Sequence, residues 1–373
     1  MNIPPAGDAL RIAGVRVTER TTWTFVWLTQ GHHTGVGEAT LEGRHAEIEA
    51  ALKHFGNALL ATHGPLSDRA IGWIEQRLLE ARSLIEATAL SALEQAVQDL
   101  LARATGLTLH QRLGAARRDA IPLYANINRG TAPRSPEQFA ARALKAASQG
   151  FAAVKLAPFD GLTPQIASTS QGRALIDAGL ARVAAVSDAL ARRAPNTAVM
   201  VDCHWRFDEA SARAMVHELQ RLDVRWYECP LPESAEHHAA LRSLRGLANS
   251  AGMQLAGAET MIGLAGFAPF LKAGLYDVVM PDVKHAGGLA MLLRIAEACA
   301  QHGVACSPHN PTGPICHAHS LHATALIDDM PSLEVQFEET AQFFALADSG
   351  LPTFNQGASA LPSGPGLGVR CLA

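Results

Sequence analysis

From residue 121 onwards one pattern repeats eight times, a short apolar run of strand type followed by a stretch of helical period. The runs are 121–125, 152–156, 198–202, 225–228, 254–258, 278–281, 305–307 and 333–336, and helical stretches such as 136–148, 174–192, 210–222, 239–250, 265–273 and 290–302 lie between them. Alternation of this kind favours parallel strands joined by crossover helices, and eight such units form a βα barrel. Ser135 ahead of Pro136 marks the first helix start, a capping side chain before a proline at the first helical position. Segment 158–172 is polar and rich in Gly, Ser and Thr, and reads as an insertion after the second strand.

The chain before residue 120 has a different texture. Two strands, 21–28 and 34–39, meet at the turn Gly31-His32-His33 and lead into helical stretches at 45–54, 67–84 and 87–104. Strands and helices in separate blocks suggest an α+β unit. Beyond Asp348 the Gly- and Pro-rich tail has no helical period. The expected organisation is therefore an α+β unit over 1–120, a barrel over 121–348, and a tail, 349–373, returning to the first unit. No internal repeat at a fixed period and no low-complexity tract is present.

Three of the barrel runs end on an acid: Val-Met-Val-Asp202, Trp-Tyr-Glu228 and Gly-Ala-Glu259. In a barrel the carboxyl ends of the strands form the face where active sites are built, so three acids from consecutive strands converge. Converging carboxylates cannot all stay ionised without a cation. All-oxygen ligation with room for water favours Mg²⁺ over a softer metal.

The next two strand ends carry Asp282, in Met-Pro-Asp, and His309, in Ser-Pro-His. A carboxylate on one imidazole nitrogen fixes the tautomer and raises the basicity of the other, which makes a general acid/base. His204 stands two residues after Asp202, and alternation along an extended segment would turn both towards the same pocket. Lys284 and His285 closely follow Asp282, near enough for one of them to reach the pocket rim.

With 373 residues, 48% of them hydrophobic, and a formal net charge of −4, the chain has the make-up of an ordinary globular protein large enough for one big and one small domain. Its Lys and Arg residues are scattered, which argues against a nucleic-acid face. Cys203, Cys229, Cys299, Cys306, Cys316 and Cys371 form no CxxC pair and read as reduced thiols of a cytoplasmic enzyme. The first eight residues lack the basic start and apolar centre of a secretion signal, and no run approaches about eighteen uninterrupted apolar residues, so neither export nor a membrane span is expected.

Taken as an ordered set, these residues resemble the mandelate racemase subgroup of the enolase superfamily, and within it the galactonate-dehydratase-type acid sugar dehydratases. The resemblance runs over nearly the whole chain. It is carried by Gly35-Val36-Gly37-Glu38-Ala39, Ala153-Val154-Lys155-Leu156, Asp202-Cys203-His204, Glu228-Cys229-Pro230, Gly257-Ala258-Glu259, Pro281-Asp282 with Gly287-Gly288, and Ser307-Pro308-His309-Asn310-Pro311. It implies a modified (β/α)₇β barrel under an α+β cap completed by the carboxyl-terminal tail. One Mg²⁺ ion on Asp202, Glu228 and Glu259 would bind a substrate carboxylate, or carboxylate and 2-hydroxyl, and stabilise an enediolate.

On the same resemblance, Lys155 adds a cation near the substrate carboxylate. The racemase pattern has a second lysine two residues later, where this chain has Ala157, so the second-strand side lacks that base. His309, raised in basicity by Asp282, is the expected base, and His204 the acid that protonates the departing 3-hydroxyl, with the reverse assignment left open. A further carboxylate is expected after the eighth strand, with Glu334 chosen over Glu338. Asn126, Asn128, Arg129 and Asn310 are placed to touch substrate hydroxyls or to cap their own loops. Selectivity is expected from cap loops 17–24 and 39–44, with the His32–His33 turn nearby.

The expected activity is dehydration of a sugar acid to a 2-keto-3-deoxy acid by a cytoplasmic homo-oligomer acting on a small molecule, without nucleic acid or membrane. A racemase or epimerase of a 2-hydroxy acid is the alternative within enzymes, and a catalytically silent sugar-acid-binding protein the alternative outside them.

Overall fold

The computed structural model describes residues 9–19, 21–348 and 350–373. The expectation for the first eight residues lies outside these, as do Arg20 in the 17–24 loop and Ser349 at the start of the tail.

The chain opens with an antiparallel meander of β1 (Leu10–Arg16), β2 (Thr22–Gln30) and β3 (His33–Glu38), in which Leu10 pairs with Leu28 and Phe25 with Glu38. Strand β1 is absent from the expected elements, because its apolar alternation slips phase at the adjacent Ile12 and Ala13 and runs into Gly14. Helices α1 (His45–His63), α2 (Asp68–Glu80), α3 (Leu84–Thr105) and the short α4 (Leu109–Leu113) follow. The sheet lies directly on α3. A Cβ at Gly35 or Gly37 would stand 2.0 Å from the carbonyl oxygen of Ala96 or Ala92, so only glycine permits this approach.

The barrel strands are β4 (Ala120–Asn126), β5 (Ala153–Leu156), β6 (Ala198–Asp202), β7 (Val224–Glu228), β8 (Gln254–Gly257), β9 (Val278–Val279), β10 (Ala305–Cys306) and β11 (Leu333–Gln336). They form a curled parallel sheet in the order β10-β9-β8-β7-β6-β5-β4-β11, the neighbour order of a (β/α) barrel. At the seam between β10 and β11 the contacts are irregular. Ser307 Oγ donates to Ser332 O at 2.6 Å and Asn310 Nδ2 to Glu334 O at 2.9 Å. Tyr124, Met200, Trp226, Ala256, Val278 and Met280 pack together in one buried cluster contributed by successive strands, the packed core such a barrel requires.

Helices α5 (Pro136–Ser148), α6 (Ser170–Arg193), α7 (Glu209–Arg221), α8 (His238–Ser250), α9 (Gly263–Ala273) and α10 (Gly288–Gln301) join successive strands, with a 3₁₀ turn at Ala235–His237 before α8. The expected cap of α5 is present, with Ser135 accepting from the Gln138 amide. Helix α6 begins at Ser170, so the last three residues of the expected insertion, 170–172, are its first turn. Helix α11 (Pro314–Thr324), between β10 and β11, is not among the helices expected from periodicity. Each of its residues is buried, and a helix buried all round has no polar stripe to reveal it. After β11 comes the four-residue α12 (Gln342–Ala345).

In the tail, β12 (Ala358–Ala360) pairs antiparallel with β4, and the chain then runs along α3, where the Leu367 amide donates to Asp99 Oδ1 at 2.6 Å and Arg103 Nη2 to Val369 O at 2.9 Å. The tail thus touches both units. Among the described residues no helix is long and apolar enough to cross a membrane.

Candidate active site

Strands β6 and β7 pair in register with Asp202 opposite Glu228, and β8 ends two residues short of Glu259. The three acids therefore stand at neighbouring strand ends. The chain turns sharply beside each of them, with His204, Trp205, Cys229 and Ala258 all in the left-handed region (φ 47°, 57°, 44° and 71°). Non-glycine residues there store strain that the surrounding structure must hold, a pattern common at functional sites. His204 consequently reaches the pocket through a turn, not through the extended alternation expected from sequence.

All three carboxylates are buried. Burial, with Asp202 and Glu334 nearby, outweighs Lys155 and pushes Glu228 up to about 8. Burial, then the charges of Asp202 and Glu228, pushes Glu259 well above the usual carboxylate range. Asp202 is the exception. Burial opposes its charge, but His204, hydrogen-bonded to it, and then Lys155 hold it well below its ordinary value.

Lys155 supplies a buried cation against these acids. Its Nζ lies 2.6 Å from Glu228 Oε1 and 2.9 Å from Glu334 Oε1, and although burial disfavours its charge, those two carboxylates raise its pKa well above normal. The indole of Trp226 donates to the other Glu228 oxygen at 2.6 Å. Trp226 was not among the expected site residues, yet its position two before Glu228 on one strand puts both on the same face.

Beyond β8, His309 Nδ1 lies 2.8 Å from Asp282 Oδ2, and His309 Nε2 lies 3.5 Å from Glu259 Oε2. Burial works against the Asp282 charge, but Lys284 and the neighbouring histidines hold its pKa far below normal, so it remains an acceptor. Asp282 thus accepts from His309 Nδ1 and holds the ring with Nε2 towards Glu259. Glu259 Oε2 is buried with no hydrogen-bond partner. His204 is the other imidazole of the site. Its Nε2 lies 2.7 Å from Asp202 Oδ2, and the charge of Asp202 raises its pKa against the opposing effect of burial.

The donor set suits a hard divalent cation, with three carboxylates at adjoining strand ends and one buried oxygen left orphaned. The set is not preassembled. Among the described residues no three His, Cys, Asp or Glu side chains form a group that could hold a metal ion. The reason is visible in the contacts, since Lys155 and Trp226 engage both Glu228 oxygens and His204 engages Asp202.

Glu334 and Glu338, the two candidates after the eighth strand, are separated clearly. Glu334 is fully buried and bonded to Lys155, to Asn126 Nδ2 at 2.7 Å and to the Asn310 amide at 3.3 Å; burial opposes its charge, but Lys155 and His309 hold its pKa below normal. Glu338 lies at the surface with Lys145 and Gln149.

The Asn310 side chain is committed to the protein, donating to His317 Nδ1 and Glu334 O and accepting from Ser320 Oγ. Asn126 likewise donates to Glu334 and accepts from the Asn128 amide. Asn128 Oδ1 is buried and unpartnered. Arg129, partly exposed, stands 3.7 Å from Glu42 in the 39–44 cap loop and 3.6 Å from Glu339. Neither Lys284 nor His285 reaches the rim, because Lys284 Nζ is held 2.6 Å from Asp282 Oδ2 and His285 Nδ1 lies 2.8 Å from Thr88 Oγ1.

Residues 138–372 match the family model described as Enolase C-terminal domain-like, over more than half of the chain. The chain belongs to the enolase superfamily. Among curated members it is 28% identical over 343 residues to the D-gluconate dehydratase of Thermoproteus tenax, covering 92% of this chain and 66% of that protein. It is 30% identical over 313 residues to the D-galactonate dehydratase of Variovorax paradoxus strain S110, covering 83% of this chain and 77% of that one. Among solved structures, a mandelate racemase/muconate lactonizing enzyme from Jannaschia sp. CCS1 superposes with a TM-score of 0.81 at 24% identity, over 98% of this chain and 95% of the other, which bears on the fold alone.

Proposed function

We propose that this enolase-superfamily chain is an Mg²⁺-dependent sugar-acid dehydratase. It is an enzyme of the carbon–oxygen lyase type, taking the proton α to a carboxylate and expelling the 3-hydroxyl to leave a 2-keto-3-deoxy acid. The observation that carries this reading is the Asp282–His309 pair, 2.8 Å apart, with the free Nε2 of His309 turned towards the carboxylate pocket. The dehydratase names of the gluconate and galactonate relatives support it.

In this reading Asp202, Glu228 and Glu259 would hold the ion, which would supply positive charge against the negative charge that develops as the proton leaves. His309 Nε2 takes the C2 proton while Asp282 holds the imidazole in the required tautomer. His204 gives its proton to the C3 oxygen, which leaves as water, and the resulting enol tautomerises to the keto acid. Lys155 and Glu334, joined at 2.9 Å, face the substrate carboxylate, and Arg129 with the 39–44 loop closes over its far end. Six unpaired, buried cysteines support placing the enzyme in the reducing cytoplasm.

The test is a panel of C4–C6 mono- and diacid sugars, D-gluconate and D-galactonate included, incubated with the protein and Mg²⁺ and assayed for keto acid with semicarbazide. A keto product supports dehydration. Solvent deuterium in recovered substrate without keto acid identifies an epimerase, and turnover of any acid excludes a catalytically silent binding protein.

A further inference from the structure

Asp282 and His309 sit on short segments, each of which runs into the amino terminus of a barrel helix, and both helix starts are held by buried carboxylates of the amino-terminal unit. Glu38, at the end of β3, accepts from Thr312 Oγ1 at 2.9 Å, the Gly313 amide at 2.8 Å and the Cys316 amide at 2.9 Å. These groups lie at the start of α11, three to seven residues after His309. Glu94, on α3, accepts from the Leu289 amide at 2.7 Å and the Ala290 amide at 3.2 Å, at the start of α10, seven and eight residues after Asp282.

Gln95, beside Glu94, links the end of β3 to the segment after Asp282. Gln95 Oε1 accepts from the Glu38 amide at 3.1 Å, and Gln95 Nε2 donates to the carbonyl of Val283, the residue after Asp282, at 3.4 Å. On the same face of α3, Thr88 Oγ1 contacts His285 Nδ1 and Ser91 Oγ accepts from the Gly287 amide. Carboxyl oxygens that accept from the amides of a helix start satisfy donors with no partner inside the helix, so they fix where those starts lie.

We infer that Glu38 and Glu94 are positioning residues for the Asp282–His309 pair, each acting through the start of the barrel helix that follows one member. This rests on the proposed role of that pair. The amino-terminal unit thereby sets the distance and angle between base and orienting carboxylate, as well as covering the barrel.

The test uses Glu38→Gln, Glu94→Gln and Thr312→Val, the last removing one hydrogen bond to Glu38 while leaving the carboxylate intact. Two readouts are taken on the full chain with Mg²⁺: the crystal structure of each variant, and kcat and KM on whichever panel sugar acid is turned over. Displacement of the reacting groups by about 1 Å costs on the order of 10²-fold in rate, so kcat should fall roughly 10- to 100-fold in Glu38→Gln, less in Thr312→Val, with KM changed under about threefold. The His309–Asp282 contact should lengthen or rotate in the crystals. A variant that folds with the pair undisturbed and kcat unchanged, losing only thermal stability, overturns the inference. If Glu38→Gln does not fold, Thr312→Val decides on the same criteria. If no sugar acid is turned over, the functional reading fails and the crystal geometry still decides this one.

Discussion

His309 and Asp282 are joined Nδ1 to Oδ2 at 2.8 Å across the loops that follow β9 and β10, and the opposite ring nitrogen of His309 stands 3.5 Å from Glu259. An imidazole is thereby aimed at the carboxylate pocket from one side while His204 lies against Asp202. Replacing His309 with Asn should lower kcat by about 10² to 10⁴-fold with little change in thermal midpoint, since the side chain acts on the reaction and not on the core. Full turnover in that variant would reassign the pair as structural.

Roles within the two-histidine site separate by isotope exchange. His204→Asn should still exchange the substrate 2-proton with solvent deuterium while failing to lose water, whereas His309→Asn should do neither. Exchange surviving only in His309→Asn inverts the assignment, and exchange surviving in both points to another base such as Lys155.

Mg²⁺ added to metal-stripped protein should raise the thermal midpoint in a concentration-dependent way, as any ligand of the folded state does. Asp202→Asn and Glu259→Gln should fold yet lose that response, read by calorimetry without substrate. An unchanged response in both variants places the ion elsewhere.

Glu94 gives a pH signature. Burial pushes its pKa from the ordinary 4.5 up to about 7, with Glu75 adding to the rise against hydrogen bonds from Gln98, Leu289 and Ala290. The folded chain therefore keeps a proton that the unfolded chain has released, and the contribution of Glu94 to stability falls as pH rises from about 4.5 to 7. Glu94→Gln has no such titration. Relative to the parent it should gain on the order of 3 kcal/mol between pH 4 and pH 8, read from urea unfolding. A parent-to-variant difference that is the same at both pH values contradicts the assignment. Glu228 and Glu259 titrate with the same sign in both proteins and cancel in the comparison.

Gly37→Ala should destabilise the protein by roughly 2 kcal/mol or more, because its Cβ would meet the Ala92 carbonyl oxygen at 2.0 Å and push β3 away from α3. Equal urea midpoints for variant and parent would show that the sheet can shift without cost.

Much of this protein is legible along the chain. The eight strands of the barrel lie where the apolar runs predict, because a strand buried on both faces must be apolar and a helix on the barrel's outer ring must be amphipathic. Asp202, Glu228, Asp282 and His309 are legible for the same reason: each closes or directly follows such a run, and parallel register carries strand ends to one face. What the sequence could not reveal depends on atoms brought together from distant parts of the chain. Helix α11 is buried all round and has no period to detect. The sequence prefers Glu334 to Glu338 but cannot show the contacts of Glu334 with Lys155 and Asn126. The grip of Glu38 and Glu94 on two helix starts joins residues 195 to 278 positions apart. Local pattern encodes which face of an element is buried, whereas hydrogen bonds between units depend on how the curled barrel sheet and the α+β unit dock, and that is decided only in three dimensions.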